Sequence, residues 1–446
     1  MKRVLHSLII PVAIALLGVA CEGPMGPAGA NGKDGKDGAN GKDANETCKL
    51  CHNSSVVEEK ATQFELSKHS YGVVAFEEAG NTGCTPCHAS EAFKYVCQNN
   101  VPSTFTLNAS TGKYSNDYAT VATATYGDIV CSTCHDNLHS TYEATDFMPL
   151  TTTAPVAMTM WKGTKTINLT QDNSFSNLCV KCHQPRPLTT STTLSDGNVI
   201  DYAGLAANPG NLFYDSAVGN AAPNTLVPSY RMHVHYGTVG AVFAGLGGVE
   251  FTGTLAYENS AHTTAASCQE CHMADINGKA GGHTFSAAGN FNGCNVAECH
   301  GASPISSSNS TFWKSPRADI QTLLNTLADK LNSAGAGTNI LHSDPSTDTN
   351  LWAGLTTGNF DGYLDIYDPS SNPAGVWKNP SSGTFTTDQK AINNALPTFP
   401  SLKNVQVGAM INFQMCLRDF SLGIHNYKYT KALLQNSIDA LTTAGI

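Results

Sequence analysis

Asn177-Leu178-Cys179-Val180-Lys181-Cys182-His183-Gln184-Pro185-Arg186 carries the pattern that decides this chain: two cysteines two residues apart, with histidine directly after the second. The same C-x-x-C-H spacing recurs at Cys48-Lys49-Leu50-Cys51-His52, at Cys84, Cys87 and His88, at Cys131, Cys134 and His135, and at Cys268, Cys271 and His272, making five segments. A sixth, Cys294-Asn295-Val296-Ala297-Glu298-Cys299-His300, has four residues between its cysteines. With 15 Cys and 15 His in 446 residues, coincidence would give on the order of 0.02 such triples in the whole chain.

Three chemistries use closely spaced cysteines. A structural zinc site does not require histidine immediately after the second cysteine, yet here that residue is His in all six segments. A disulfide across the short loop would leave that histidine without a role. Covalent haem attachment needs all three residues: the thiols add across the two vinyl groups, and the following histidine reaches the iron as proximal ligand. The pattern therefore predicts six haems c, with Cys48, Cys51, Cys84, Cys87, Cys131, Cys134, Cys179, Cys182, Cys268, Cys271, Cys294 and Cys299 as attachment residues. His52, His88, His135, His183, His272 and His300 are the expected proximal ligands. The last haem rests on the wider loop, and without it the count is five.

Outside the motifs and the first 20 residues, eight histidines remain: His69, His139, His233, His235, His262, His283, His342 and His425. A lone histidine is usually solvated or satisfied locally, but eight for six irons is enough to close every site. His69 and His262 each precede a motif by a short stretch, and Gly282-His283-Thr284-Phe285 lies between the fifth and sixth. His139 follows proximal His135 by four residues and so is expected to serve a neighbouring haem. The placements of His69, His262 and His283 resemble distal-ligand positions of multihaem cytochromes, and that of His425 an axial-ligand position of multihaem reductases, so the expected distal set is His69, His139, His235, His262, His283 and His425, with His233 as the alternative to His235 and His342 as a spare.

The N-terminus, Met1-Lys2-Arg3 followed by a broken apolar run to Ala20, has the form of a signal peptide and is marginal for a spanning helix. Leu16-Leu17-Gly18-Val19-Ala20-Cys21 resembles a bacterial lipobox, with Gly18 where Leu is usual, and makes Cys21 the expected lipid anchor. Membrane attachment is expected through that lipid only. The expected location is the outer membrane or cell surface, with the periplasm as the alternative. Loss of Lys2 and Arg3 with residues 1–20 takes the formal charge from -10 to -12, which disfavours a nucleic-acid partner.

Residues 21–44 follow as anchor and spacer. Glycine falls at every third position from Gly23 to Gly41, the period that a collagen triple helix requires. The stretch is either a short trimerising stalk or a single-chain spacer that, extended, holds the body roughly 65 Å from the membrane. Residues 45–301 form the expected multihaem core, rich in Thr, Ser, Asn and Gly and poor in long periodic segments. Strand-like alternation marks Val156 to Leu169, while Ala241 to Leu255 is Gly-rich and apolar. Such a chain builds a poor core alone, and the flat apolar faces of haems would supply what it lacks.

Residues 302–446 change character. Ile320, Leu323, Leu324, Leu327 and Leu331 have helical spacing over Ala318 to Leu331, and Met410 to Phe420 and Tyr427 to Leu441 read as further helices split by Gly423. Asp344 to Ser382 reads as loop. The predicted class is thus mainly α and irregular, a haem-packed core with few short strands and a C-terminal helical segment packing on it. Cys97 and Cys416 remain, either paired in an oxidising compartment or left as buried thiols.

Ser421-Leu422-Gly423-Ile424-His425-Asn426-Tyr427-Lys428-Tyr429 resembles the segment preceding the last helix of multihaem reductases, including pentahaem nitrite reductases. In that family the histidine is an axial ligand, and Tyr427 here replaces the family's usual proline. Asn177 to Arg186 and His235-Tyr236-Gly237 resemble surface multihaem cytochromes of metal-respiring bacteria, and the wide sixth loop is similar to those of small tetrahaem cytochromes. The likeness covers roughly half the chain and is specific for class rather than activity.

It implies electron transfer by six bis-His haems in anaerobic or extracellular respiration, with other cytochromes or extracellular acceptors as partners. The alternative is a reductase of nitrite, hydroxylamine or a sulfur oxyanion with one open iron. The C-x-x-C-K motif of the pentahaem nitrite reductases is absent from the chain.

Overall fold

The computed structural model describes residues 48–49, 51–71, 85–99, 105–108, 113–116, 127–158, 165–185, 202–211, 234–235, 237–333 and 403–446. Cys21, the glycine repeat, Cys84, His233, His342 and the expected loop Asp344 to Ser382 lie outside the described residues. The chain divides into two compact units, Met1–Cys48, of which only Cys48 is described, and Lys49–Ile446.

The second unit is mainly helical with few short strands. In chain order it runs α1 (Val57–Glu65), α2 (Lys68–Tyr71), α3 (Thr85–His88), α4 (Ser90–Gln98), β1 (Phe105–Asn108), β2 (Lys113–Asn116) and α5 (Cys131–Cys134). There follow β3 (Val156–Ala157), β4 (Thr166–Ile167), α6 (Ser176–Cys182), α7 (Tyr202–Ala207), α8 (Val239–Phe243), α9 (Ala261–Ala265) and α10 (Cys268–His272). Three longer helices close the chain: α11 (Ser315–Ser333), α12 (Asn404–Arg418) and α13 (Tyr427–Thr443). β1 pairs antiparallel with β2, and β3 with β4. Among the described residues, the strand-like stretch from Val156 to Leu169 holds the two-residue strands β3 and β4.

α11, α12 and α13 pack on one another because each buries an apolar face. In α11 the buried set is Ile320, Leu324, Leu327, Ala328 and Leu331, the expected i, i+4, i+7 stripe. One wider helical turn, Ser310–Lys314, precedes it, started by Asn309 accepting from Phe312 N at 2.8 Å.

α12 differs from the predicted Met410 to Phe420: it starts at Asn404 and stops at Arg418. Every one of its residues is buried, so no polar face marks its beginning. Gly408 lets Phe251 lie against it, where a Cβ would strike the ring. Its end is a turn through the left-handed region at Phe420, Leu422 and Gly423. α13 then begins behind Asn426, whose side chain accepts from Tyr429 N at 3.4 Å.

Polar side chains sew the apolar segment 246–255 between α12 and α13. Asn412 accepts from Val249 N at 2.7 Å and donates to Val249 O at 2.7 Å and Ser437 Oγ at 2.9 Å. Asn436 does the same for Leu255, accepting at 3.0 Å and donating at 2.9 Å. Among the described residues the main apolar cluster begins at Val156 and runs to Leu441. Cys97 and Cys416 are free thiols, so the disulfide between them is not formed. Burial pushes Cys97 up to about 12 and Cys416 well above the ordinary thiol value, which leaves both unreactive.

Candidate functional site

Among the described residues the third to fifth motifs lie in short helices, α5, α6 and α10, and α3 carries Cys87 and His88 of the second, while the sixth folds as successive turns; a helical turn explains the two-residue spacing. In α5 and α6 the histidine N–H donates to the first cysteine's carbonyl, His135 to Cys131 and His183 to Cys179, both at 2.9 Å. The histidine therefore stands one turn above the first thiol. The wider sixth loop reaches the same bond, with His300 N donating to Cys294 O at 3.0 Å. Ser267 caps α10 reciprocally, accepting from Glu270 N at 3.1 Å while Glu270 accepts from Ser267 N at 2.8 Å.

Each motif histidine faces one histidine from elsewhere in the chain. Ring centroids stand 5.9 Å apart for His52 and His139, 6.0 Å for His183 and His69, and 6.1 Å for His272 and His425. They stand 6.3 Å apart for His88 and His235, for His135 and His283, and for His300 and His262. Each of the twelve candidate ligands belongs to one such pair. His139 faces His52, which belongs to a different motif from its neighbour His135. We number the pairs one to six in motif order.

The separation has a physical meaning. Imidazole nitrogens bind first-row metals at about 2 Å, and the ring centre lies about 1.2 Å further back, so two trans imidazoles on one metal have centroids about 6.3 Å apart. Rings in direct van der Waals stacking would lie closer. Among the described residues no three His, Cys, Asp or Glu side chains converge on a point, as a bare metal ion would need. A pair of imidazoles, with the thiols of its motif, would suit the ligation and covalent attachment of a haem c.

In three of these rings a carbonyl contact at Nδ1 would leave Nε2 available to a metal. His135 Nδ1 lies 2.7 Å from Phe147 O, His272 Nδ1 2.9 Å from Phe285 O, and His262 Nδ1 2.8 Å from Ile424 O. A carbonyl can only accept, so each Nδ1 carries its proton and Nε2 keeps its lone pair. His425 Nδ1 instead meets a carboxylate, Asp419 Oδ1, at 2.6 Å. Burial alone would lower His425, but the charge and hydrogen bond of Asp419 raise it.

Burial lowers the pKa of His69, His272 and His300, and pushes His183 and His283 down to about 4, so these rings are neutral and ligand-competent at neutral pH. Neighbouring imidazoles add to the effect at His183, where His69, His272, His425 and His88 all contribute.

The sites adjoin one another. Cys87 Sγ lies 4.0 Å from Lys181 O and Cys182 Sγ 3.8 Å from Cys87 O, which joins sites two and four. Cys179 hydrogen-bonds Cys268, joining sites four and five, and Cys268 N donates to Ser176 Oγ at 3.0 Å. Phe285 links three sites at once: its ring packs on His69 at 4.8 Å and on His283 at 5.7 Å, while its carbonyl takes the His272 contact. Gly240 brings α8 onto site four, donating to His183 O at 3.0 Å. At the outer sites exposed aromatics cover the rings, Tyr142 on His139 at 5.6 Å and Phe312 on His300 at 5.3 Å.

Asp419 and Phe285 are the functional residues that sequence reading missed. A carboxylate six residues before a histidine has no periodic signature, and only the left-handed turn through Phe420, Leu422 and Gly423 brings them together. Among the described residues no helix is long and apolar enough to cross a membrane. Compared with known proteins, the chain matches no family model, no curated protein and no solved structure.

Proposed function

We propose that the chain is a hexahaem c-type electron carrier in which every iron is closed by two histidines. The observation that carries this reading is the sixfold repetition of one spacing, 5.9 to 6.3 Å between a motif histidine and a distant one. Haem iron supplies a one-electron couple when bound. The chain's own part would be to hold that iron between two imidazoles, so that ligation would be unchanged by redox and exogenous substrates kept from the metal. Contacts between Cys87 and Cys182 and between Cys179 and Cys268 set attachment edges side by side, which favours transfer along the series. The core would be packed around these haems, with α11, α12 and α13 against it.

Export, lipid anchoring at Cys21 and action at the cell envelope rest on the N-terminal sequence. Partners are other cytochromes or extracellular electron acceptors.

The test is mass and optical spectroscopy of the exported protein. A mass above the processed chain by six haems, a fully low-spin ferric spectrum and no binding of carbon monoxide by the reduced form are expected. A high-spin fraction near one iron in six would favour a reductase with one open site, and absence of haem would sink the reading entirely.

A further inference from the structure

We propose that Asp419 is a positioning residue that sets site five, His272 and His425, below site three, His135 and His283, in reduction potential. The inference rests on reading the paired histidines as haem ligands.

Sites three and five form a matched pair. Their rings are inclined at 31° and 30°, with centroids 6.3 and 6.1 Å apart. In each, the motif histidine turns Nδ1 to a backbone carbonyl, His135 to Phe147 at 2.7 Å and His272 to Phe285 at 2.9 Å. The distal side differs. His283 Nδ1 is buried with no hydrogen-bond partner among the described residues. The nearby charges there, Lys60 and Glu59, oppose each other in an ion pair at 2.9 Å. His425 Nδ1 lies 2.6 Å from Asp419, whose side chain is 0 % exposed.

A carboxylate at that nitrogen does two things. It draws the Nδ1 proton toward itself, which makes the imidazole a stronger donor at Nε2, and it places a negative charge in surroundings where water does not screen it. Both favour the ferric state, so the potential falls. One electron is taken up from a reduced neighbouring site, no bond forms or breaks, and the proton stays at His425 Nδ1. Ser421 tempers the effect by donating its hydroxyl to the other carboxylate oxygen, Oδ2. Phe285 touches both sites, so the difference directs electrons from five toward three.

Asp419 also sits at the C-terminal end of α12, where the helix dipole disfavours a negative charge. No local preference explains a buried acid there, and its contact with His425 does.

The test is a spectropotentiometric titration of the full-length protein and its Asp419→Asn variant. Asn keeps the shape and an acceptor oxygen but removes the charge. One of six one-electron steps should move to higher potential, with haem count and low-spin ferric spectrum unchanged. Six unmoved steps, or a downward shift, would overturn the proposal. If that variant does not accumulate with its haems, Ser421→Ala decides. With Oδ2 relieved of its donor, the carboxylate pulls harder on His425, so one step should fall, and an unmoved or raised step overturns the proposal. A wild-type protein lacking haem would instead fell the underlying reading.

Discussion

Three of the six histidine pairs lie near-parallel, at 20°, 31° and 30°, and three near-perpendicular, at 81°, 83° and 76°. Parallel axial rings interact with the same iron d orbital and split the pair it belongs to, whereas perpendicular rings leave that pair nearly degenerate. Electron paramagnetic resonance of the ferric protein should therefore resolve two low-spin populations in equal amounts, a rhombic one and one dominated by a single large g value. A single class, or a five-to-one split, would contradict the ring geometry. Acid sensitivity follows from the same residues. His183 and His283 sit at about 4 in the folded chain, while an unfolded histidine protonates near 6.5. Between these values the unfolded chain binds more protons, so stability falls as pH drops through the window, and the proposed ligation by iron would act in the same direction. Denaturation midpoints at pH 7, 5.5 and 4.5 check this, and a flat profile would refute it. The histidines themselves could be named from motif and number, but not paired. His69 meets His183 across two intervening motifs, a contact that only tertiary structure specifies.

At the scale of elements, short segments are fixed by a few close approaches. A Cβ on Gly240 would lie 2.5 Å from His183 O and 3.0 Å from both methyls of Val180. The obstacle is the backbone carbonyl of His183, just past the end of α6, which cannot swing aside, so Gly240→Ala should push α8 off site four. The expected readout is a shifted potential at one haem together with a lowered unfolding midpoint; wild-type behaviour in both would show that α8 does not brace the site. Asn426 joins more partners than any cap requires: it accepts from Ser260 N at 2.9 Å and Tyr429 N at 3.4 Å, and donates to Asn259 Oδ1 at 2.8 Å and Phe243 O at 3.3 Å. Asn426→Ala removes the cap of α13 and strands buried polar groups beside His425 and His262, at a cost of about 2–3 kcal/mol. Equilibrium denaturation measures that loss. Such links also explain what sequence pattern could and could not anticipate. α11 has an amphipathic stripe and was readable; the first half of α12, with Val405, Val407 and Gly408 buried all round, carries no stripe at all.

Across the whole molecule the apolar core and the cysteine motifs are unevenly distributed. The main cluster draws on α7, α8, α11, α12 and α13, and among the described residues none before Val156 belongs to it. Among the described residues of 49–148 the buried apolar side chains form a small satellite, Pro86, Ala89, Ala92, Phe93 and Val96, yet the segment supplies the motif histidines of three pairs and His69 and His139. The apolar burial of its described residues does not offset their conformational entropy by packing alone. Its order is expected to come from iron–histidine bonds and haem faces, as binding energy in small metalloproteins becomes folding energy. The longer helices have their own core and would depend on haem less. Chain produced without haem should then lose peptides from residues 49–148 to thermolysin well before peptides from α12 and α13, whereas haem-loaded protein should resist in both regions. Mass spectrometry of timed digests distinguishes the two. Equal decay of both regions in the haem-free chain would mean that the fold is one cooperative unit, and equal protection would mean that the motif region needs no cofactor to hold its shape.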